Sequence, residues 1–117
     1  MNAYLYDGSF YGLLTAYFYA WNDNDIYTIA KEAAYTSDLL SDVMGNAPDE
    51  CVIITIQAHK NTLAVATLKD SPGIIICNNR PIPDDFLAAA KEEQIAILVT
   101  AKNQYEVSGE LYTLLKN

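Results

Sequence analysis

The segment AYTSDLLSDVMGNAPDECVIITIQAHKN, residues 34–61, sets the architecture of the chain. It combines a helix-start signal, a proline-containing turn, an apolar run and the single histidine of the chain. Thr36 or Ser37 is expected to cap a helix with Asp38 in its first turn, because hydroxyl caps and early acidic residues suit the positive end of a helix. Gly45-Asn46 would end that helix. Its apolar face would consist of Leu39, Leu40, Val43 and Met44.

The apolar runs of the chain alternate with helical patterns from residue 51 onward. Residues 51–56, 74–77 and 95–100 are apolar and rich in β-branched side chains, which predicts strands covered on both faces. Helices are expected at residues 59–69, after Pro83, and from about Asn103. This alternation predicts a mostly parallel sheet with right-handed crossovers and helices outside it, a three-layer α/β/α sandwich.

The first 25 residues form an aromatic-rich N-terminal segment, and ten of the thirteen aromatic residues of the chain precede residue 36. Apolar residues between Phe10 and Trp21 fit one face of a helix. Residues 17–21 equally fit an aromatic strand, because Tyr, Phe and Trp favour the pleated surface. Residues 26–30 are expected to form a short strand. The aromatic side chains would lie in the core or at a dimer contact.

Length and composition bound the class of protein. A chain of 117 residues, 51% of them hydrophobic, suits one domain, residues 1–117. The net charge is −8 and the seven basic residues are scattered singly, which argues against nucleic acid or an acidic membrane as a partner. No secretory signal or membrane-length apolar run is visible, so a cytoplasmic protein is expected. Cys51 and Cys77 lie in apolar runs and should be buried free thiols.

A ligand site is predicted where the apolar strands end, because open parallel sheets bind ligands beyond the carboxyl ends of their strands. Each of the three loops there precedes a helix whose N–H groups could hold an anion. His59, Lys60 and Arg80 add positive charge to an otherwise acidic chain. The alternative is that these polar residues merely cap helices. The predicted site, the carboxyl-edge site, would take an anionic small molecule and comprises Gln57, His59, Lys60, Asn61, Asn78, Asn79, Arg80 and Thr100.

No catalytic residue, metal site or cofactor is predicted. The chain lacks G-x-G-x-x-G, G-x-x-x-x-G-K-[ST], G-x-S-x-G and H-E-x-x-H. His59 alone is a weak sign of catalysis, because a general base needs an orienting partner. Asp38 and Asp42 are four residues apart and would share a helical face, and a solvated face explains such a pair more simply than a cation site.

The sequence resembles the DRTGG domain across residues 26–117. The similarity begins with AAYTSDLLSDVMGN at residues 33–46 and VIITIQAHKN at residues 52–61. It continues through Gly73 to Asn78, Pro83-Asp84, Ile95 to Thr100 and Tyr105 to Gly109. The resemblance implies a fold like the N-terminal domain of HPr kinase/phosphorylase. It also places a strand at about residues 17–21.

The resemblance implies a regulatory or dimer-forming role, because such domains occur in phosphotransacetylases and between the CBS domains of regulated pyrophosphatases without being their catalytic centres. The Asp-Arg and Gly-Gly pairs that are typical of the family are replaced by Thr28-Ile29 and Ala33-Ala34. The expectation is therefore a non-catalytic regulatory or ligand-binding homodimer that senses a nucleotide or phosphorylated metabolite. The alternatives are a structural subunit of a larger redox or signalling complex, or a small enzyme or phosphotransfer accessory that uses His59.

Overall fold

A computed structural model describes residues 4–5, 16–19 and 34–116 of the chain. The strands are β1 (Tyr4–Leu5), β2 (Ala16–Tyr19), β3 (Ala34–Thr36), β4 (Val52–Thr55), β5 (Gly73–Ile76) and β6 (Ala96–Thr100). The helices are α1 (Leu40–Asn46), α2 (Lys60–Leu68), α3 (Asp84–Glu92) and α4 (Gln104–Lys116). The strand expected at residues 26–30 lies outside the described residues.

The strands form one six-stranded sheet in the order β1-β2-β6-β5-β4-β3. The four strands from β3 to β6 are parallel, and β2 joins them antiparallel to β6 with Tyr17 opposite Val99. The mostly parallel sheet is therefore confirmed. Residues 17–19 form part of a strand, so the helix through residue 21 was the wrong alternative.

The three central strands, β4, β5 and β6, form the centre of the core, since every residue in them is buried. Their side chains alternate between the two faces of the sheet. Ile53, Ile74 and Ile97 belong to one apolar cluster with Val43 of α1, and the cluster continues into α2 and α3. Right-handed crossovers between strands that follow one another in order place these three helices on the same face.

The second face of the sheet is packed by α4, which contacts β3 and β4. Val107 and Leu111 of α4 are fully buried and lie outside the first cluster. Ile54 and Leu98 are also fully buried and alternate in sequence with members of the first cluster. Helices on both faces of the sheet give the predicted three-layer α/β/α sandwich.

The predicted start of α1 is wrong. Thr36 belongs to β3, and the residue before the helix is Leu39, which makes no side-chain cap. Ser37 and Asp38 form the loop between the two elements. Leu39 is 65% exposed, whereas Val43 is fully buried, so the apolar face of α1 is narrower than its sequence suggested.

Helices α2 and α3 end in the same way, each with a left-handed residue other than glycine. Asp70 and Gln94 have φ angles of 54° and 57°. In both cases the amide of the following residue donates to the carbonyl five residues earlier. These bonds run from Ser71 N to Ala66 O at 2.9 Å and from Ile95 N to Ala90 O at 3.0 Å. This Schellman arrangement satisfies the last helical carbonyls and turns the chain directly into β5 or β6.

The two cysteines are buried free thiols. Burial raises the pKa of Cys51, and it raises the pKa of Cys77 to about 12. Because the thiolate is the reactive form, both side chains behave as small apolar core residues at neutral pH.

Thr62 of α2 is fully buried, and its Oγ1 has no hydrogen-bond partner. Replacing it by Val removes the unsatisfied hydroxyl and keeps the β-branched shape, so Thr62→Val is expected to raise the free energy of unfolding by about 1 kcal/mol. Urea denaturation measures the change. Thr62→Ser, which keeps the hydroxyl and loses the methyl group, should lower stability by about 1 kcal/mol. A destabilised Thr62→Val protein would contradict the assignment.

Candidate functional site

The loops that follow β4, β5 and β6 lie side by side at the carboxyl edge of the sheet. Cys77 N donates to Thr55 O at 2.9 Å, which joins the ends of β4 and β5. Asn78 N donates to Lys102 O at 2.9 Å, and Asn79 N donates to Thr100 O at 2.8 Å. The three loops selected from the sequence therefore form one continuous surface.

Asn78 and Asn79 build a tight turn at the centre of this surface. Both have left-handed backbone conformations, with φ angles of 61° and 51°. Asparagine tolerates this region better than most residues. Their backbone amides are used by the β6 loop, so their exposed side chains, with that of Arg80, are what the turn offers to a ligand.

His59 caps α2. Its Nδ1 accepts a hydrogen bond from Asn61 N at 3.0 Å. The neutral imidazole must then carry its proton on Nε2, which leaves one donor on an exposed side chain. No carboxylate among the described residues forms a hydrogen bond or ion pair with His59, so the described surroundings supply no orienting group for a general base.

Two lysines at this edge are already paired with acids. Lys60 Nζ lies 3.3 Å from Asp85 Oδ2, and Lys102 Nζ lies 2.7 Å from Glu110 Oε1. Arg80 is exposed and forms no ion pair with any other residue that the structure describes. Arg80 is therefore the cation of this edge with the greatest freedom to meet an anion.

The starts of α3 and α4 are poorly suited to an anion. Asp84 and Asp85 occupy the first turn of α3. At α4, Asn103 Oδ1 accepts from Glu106 N at 2.8 Å and Glu106 Oε1 accepts from Asn103 N at 3.4 Å, which is a capping box. With α2 capped by His59, α4 capped by Asn103 and two acids at the start of α3, the groups left for a ligand are side chains.

Thr100 differs from the other residues of the carboxyl-edge site. It is 1% exposed, and its Oγ1 accepts a hydrogen bond from Lys102 N at 3.2 Å. This hydrogen bond stabilises the loop after β6 from beneath the surface. The structure thus brings Gln57, the β5 loop and the start of α2 to one edge, with Thr100 beneath that surface.

Asp38 occupies a different position from the one predicted. Its Oδ1 accepts from Thr55 Oγ1 at 2.7 Å, from Ile56 N at 3.0 Å and from Gln104 Nε2 at 3.2 Å. Its backbone carbonyl accepts from Gln57 Nε2 at 2.6 Å. Asp38 therefore joins the loop after β3 to the end of β4 and the start of α4. Applying the strand-end rule to β3 would have identified Asp38, but the sequence was interpreted as a helix there.

The Asp42 carboxylate accepts hydrogen bonds from neighbouring side chains of the protein. The donors are Tyr35 Oη, at 2.9 and 3.0 Å, and Asn46 Nδ2, at 2.8 Å. The bonds from Asn46 and Tyr35 lower the pKa of Asp42, and the bond to Asp42 raises the pKa of Tyr35. Asp38 precedes the helix, so the two carboxylates do not form the helical pair considered from the sequence.

The comparison with protein families decides where this chain belongs. The family described as HPr Serine kinase N terminus matches residues 51–115, more than half of the chain. The chain belongs to this family. The region matched in this HPr kinase N-terminal-type domain runs from the start of β4 into α4 and includes the whole carboxyl-edge site.

A solved structure shares the fold of the HPr kinase N-terminal-type domain. It contains the CBS and DRTGG domains of the regulatory region of Clostridium perfringens pyrophosphatase, complexed with the activator diadenosine tetraphosphate. The TM-score is 0.59 at 11% sequence identity, and the match covers 83% of this chain and 48% of that one. The present chain therefore corresponds to about half of that regulatory region. No curated protein sequence matches it.

The described part of the domain lacks both a metal-binding cluster and a membrane-spanning helix. No cluster of three or more His, Cys, Asp or Glu residues there could hold a metal ion. None of the helices described has the length and apolar character that a membrane crossing requires.

The Tyr35–Asp42 bond predicts a measurable pH dependence. Because folding lowers the Asp42 pKa, its stabilisation is present above about pH 4 and is lost as the pH falls through the folded value. Because folding raises the Tyr35 pKa, its stabilisation is present below about pH 10 and is lost as the pH rises through the folded value. NMR titration of the tyrosine ring carbons should therefore show Tyr35 titrating late.

Asp42→Asn should return the pKa of Tyr35 toward its ordinary value, and Tyr35→Phe assigns the signal. Asp85→Asn, a neutralised carboxylate at the start of α3, is the matched control and should leave the Tyr35 titration unchanged. A Tyr35 signal that titrates alike in the wild type and in Asp42→Asn would count against the bond.

Proposed function

We propose that this domain is a non-catalytic regulatory module that binds an anionic small molecule, a nucleotide or phosphorylated metabolite, at the carboxyl-edge site. The observation that carries the proposal is the meeting of three polar loops at the edge where parallel strands end. Ligands of such sheets bind at that edge. Arg80, Asn78 and Asn79 expose their side chains there, and Nε2 of His59 adds a donor.

The chemistry of these groups favours an oxygen-rich anion. Guanidinium and amide donors bind phosphate and carboxylate oxygens, and arginine does so with two parallel hydrogen bonds. The net charge of −8 and the nearby Asp84 and Asp85 oppose unspecific attraction of anions. Binding would therefore depend on direct contacts with Arg80 and the asparagine amides more than on the overall field.

A non-catalytic role is supported by the use of His59 as a helix cap and by the family to which the chain belongs. The structural neighbour is a regulatory region described as complexed with a nucleotide activator. Its resemblance in fold makes ligand sensing the first role to test.

A thermal-shift experiment tests ligand binding. ATP, ADP, AMP, diadenosine tetraphosphate and sugar phosphates are the compounds to use, at millimolar concentration. A ligand at about 100 times its Kd adds about 2.7 kcal/mol of stability, which corresponds to a Tm increase of several degrees. Arg80→Ala is expected to weaken the affinity about tenfold through loss of a charged hydrogen bond, and His59→Ala should weaken it less.

Lys91→Ala is the matched control for Arg80→Ala. It removes one positive charge near the opposite end of α3, away from the carboxyl edge. A change in affinity equal to that of Arg80→Ala would indicate unspecific electrostatics. The absence of any shift across these compounds would overturn the proposal.

We further propose that the domain is a homodimer whose contact involves the aromatic N-terminal segment. Aromatic residues are enriched at protein interfaces, and ten of thirteen lie before residue 36. Sedimentation velocity should show a concentration-dependent dimer. Tyr17→Ala or Tyr19→Ala should raise the dissociation constant of that dimer. Tyr105→Ala, on a side chain 88% exposed in α4, is the control and should leave the dimer intact. A monomer at all concentrations would refute the dimer.

A further inference from the structure

Gln57 of the carboxyl-edge site is engaged by the protein itself. Although Gln57 is exposed, its Nε2 donates to the backbone carbonyl of Asp38 at 2.6 Å. Its backbone amide donates to Thr55 Oγ1 at 3.2 Å. A ligand that binds the Nε2 proton used in this hydrogen bond must therefore compete with the loop after β3.

The same loop holds the start of α4. The Asp38 carboxylate accepts from Gln104 Nε2 at 3.2 Å, and Gln104 is the first residue of that helix. The amide of Gln104 also lies 3.2 Å from Thr36 Oγ1 and 3.5 Å from Ile54 O. These contacts join residues 50 to 68 positions apart in sequence, and they link the edge strand β3 and its neighbour β4 to the helix on the second face.

Asp38 is thus shared between the ligand edge and α4. Thr55, fully buried, donates to Asp38 Oδ1 and accepts from Gln57 N, so the hydrogen bonds form one connected set. A displacement of the Asp38 loop at one contact alters the geometry of the other, because both the carbonyl and the carboxylate belong to the same residue.

We propose that the Gln57–Asp38–Gln104 set couples the carboxyl-edge site to the first turn of α4. A ligand that draws the Gln57 side-chain amide away from the Asp38 carbonyl removes one restraint from the Asp38 loop. The Asp38 carboxylate then holds Gln104 less firmly, and the first turn of α4 opens more often. The ligand step rests on the proposed function, whereas the coupling between Gln57 and α4 belongs to the protein alone and is tested without a ligand.

Amide hydrogen exchange of Val107, whose N–H donates to Asn103 O at 3.1 Å and closes the first turn of α4, measures the coupling. Gln104→Ala and Gln57→Ala should each speed this exchange about two- to tenfold, as expected for one lost hydrogen bond. The double variant should exchange more slowly than the product of the two single effects predicts, because both changes act on one connected set. Exchange of Ile75, in the buried β5, should stay unchanged, which shows that the opening is local.

Glu92→Ala is the matched control, since it shortens an exposed side chain of similar length at the end of α3, outside both the carboxyl-edge site and the Gln57–Asp38–Gln104 set. It should leave the exchange of Val107 unchanged. Equal exchange in Gln57→Ala and the wild type, or an equal acceleration by Glu92→Ala, would overturn the coupling.

Diadenosine tetraphosphate is the compound for the ligand arm of the test. Added to the wild type, it should speed exchange at Val107 as Gln57→Ala does, and it should add little further in Gln57→Ala. If it binds and protects α4 instead, the direction of the coupling is wrong. If no compound binds while the variants behave as expected, the proposed ligand function fails and the coupling stands.

Discussion

Three apolar strands are buried on both faces of the sheet, and the other elements of the domain are arranged to cover them. Every residue of β4, β5 and β6 is buried. A fully buried Ile side chain contributes about 1.5–3 kcal/mol, and this benefit requires a cover on each side of the sheet. The chain meets that requirement with α1, α2 and α3 on one face and α4 on the other. The peptide groups of these strands must pair inside the sheet, because no water reaches them.

This architecture gathers polar groups at one edge. Parallel strands end together, so the loops after β3, β4, β5 and β6 meet although they are distant in sequence. Their backbone groups are tied to one another, as in the bonds from Asn78 and Asn79 to the β6 loop. The result is a rigid frame from which a few side chains project. Such a frame would lower the entropy cost of binding at the proposed ligand site.

Asp38 and Asp42 stabilise the fold through hydrogen bonds within the protein. Asp38 and Asp42 both anchor the region around β3, one through Thr55 and Gln104 and the other through Tyr35 and Asn46. Both carboxylates accept hydrogen bonds from side chains of neighbouring elements. The short edge strand β3 is therefore fixed by side chains on both of its flanks, which compensates for its three-residue length.

The sequence alone establishes the alternation from β4 to α4, because apolar runs and helical periodicity are local signals that each segment carries. It also placed the loops that end the strands, since the strand-end rule needs only the order of the elements. The tertiary structure decided the antiparallel addition of β2, the extent of β3 and the role of Asp38. Gln104 and Asp38 lie 66 residues apart, and no local sequence pattern links them. Their contact exists only once the sheet has brought the end of β3 beside the start of α4.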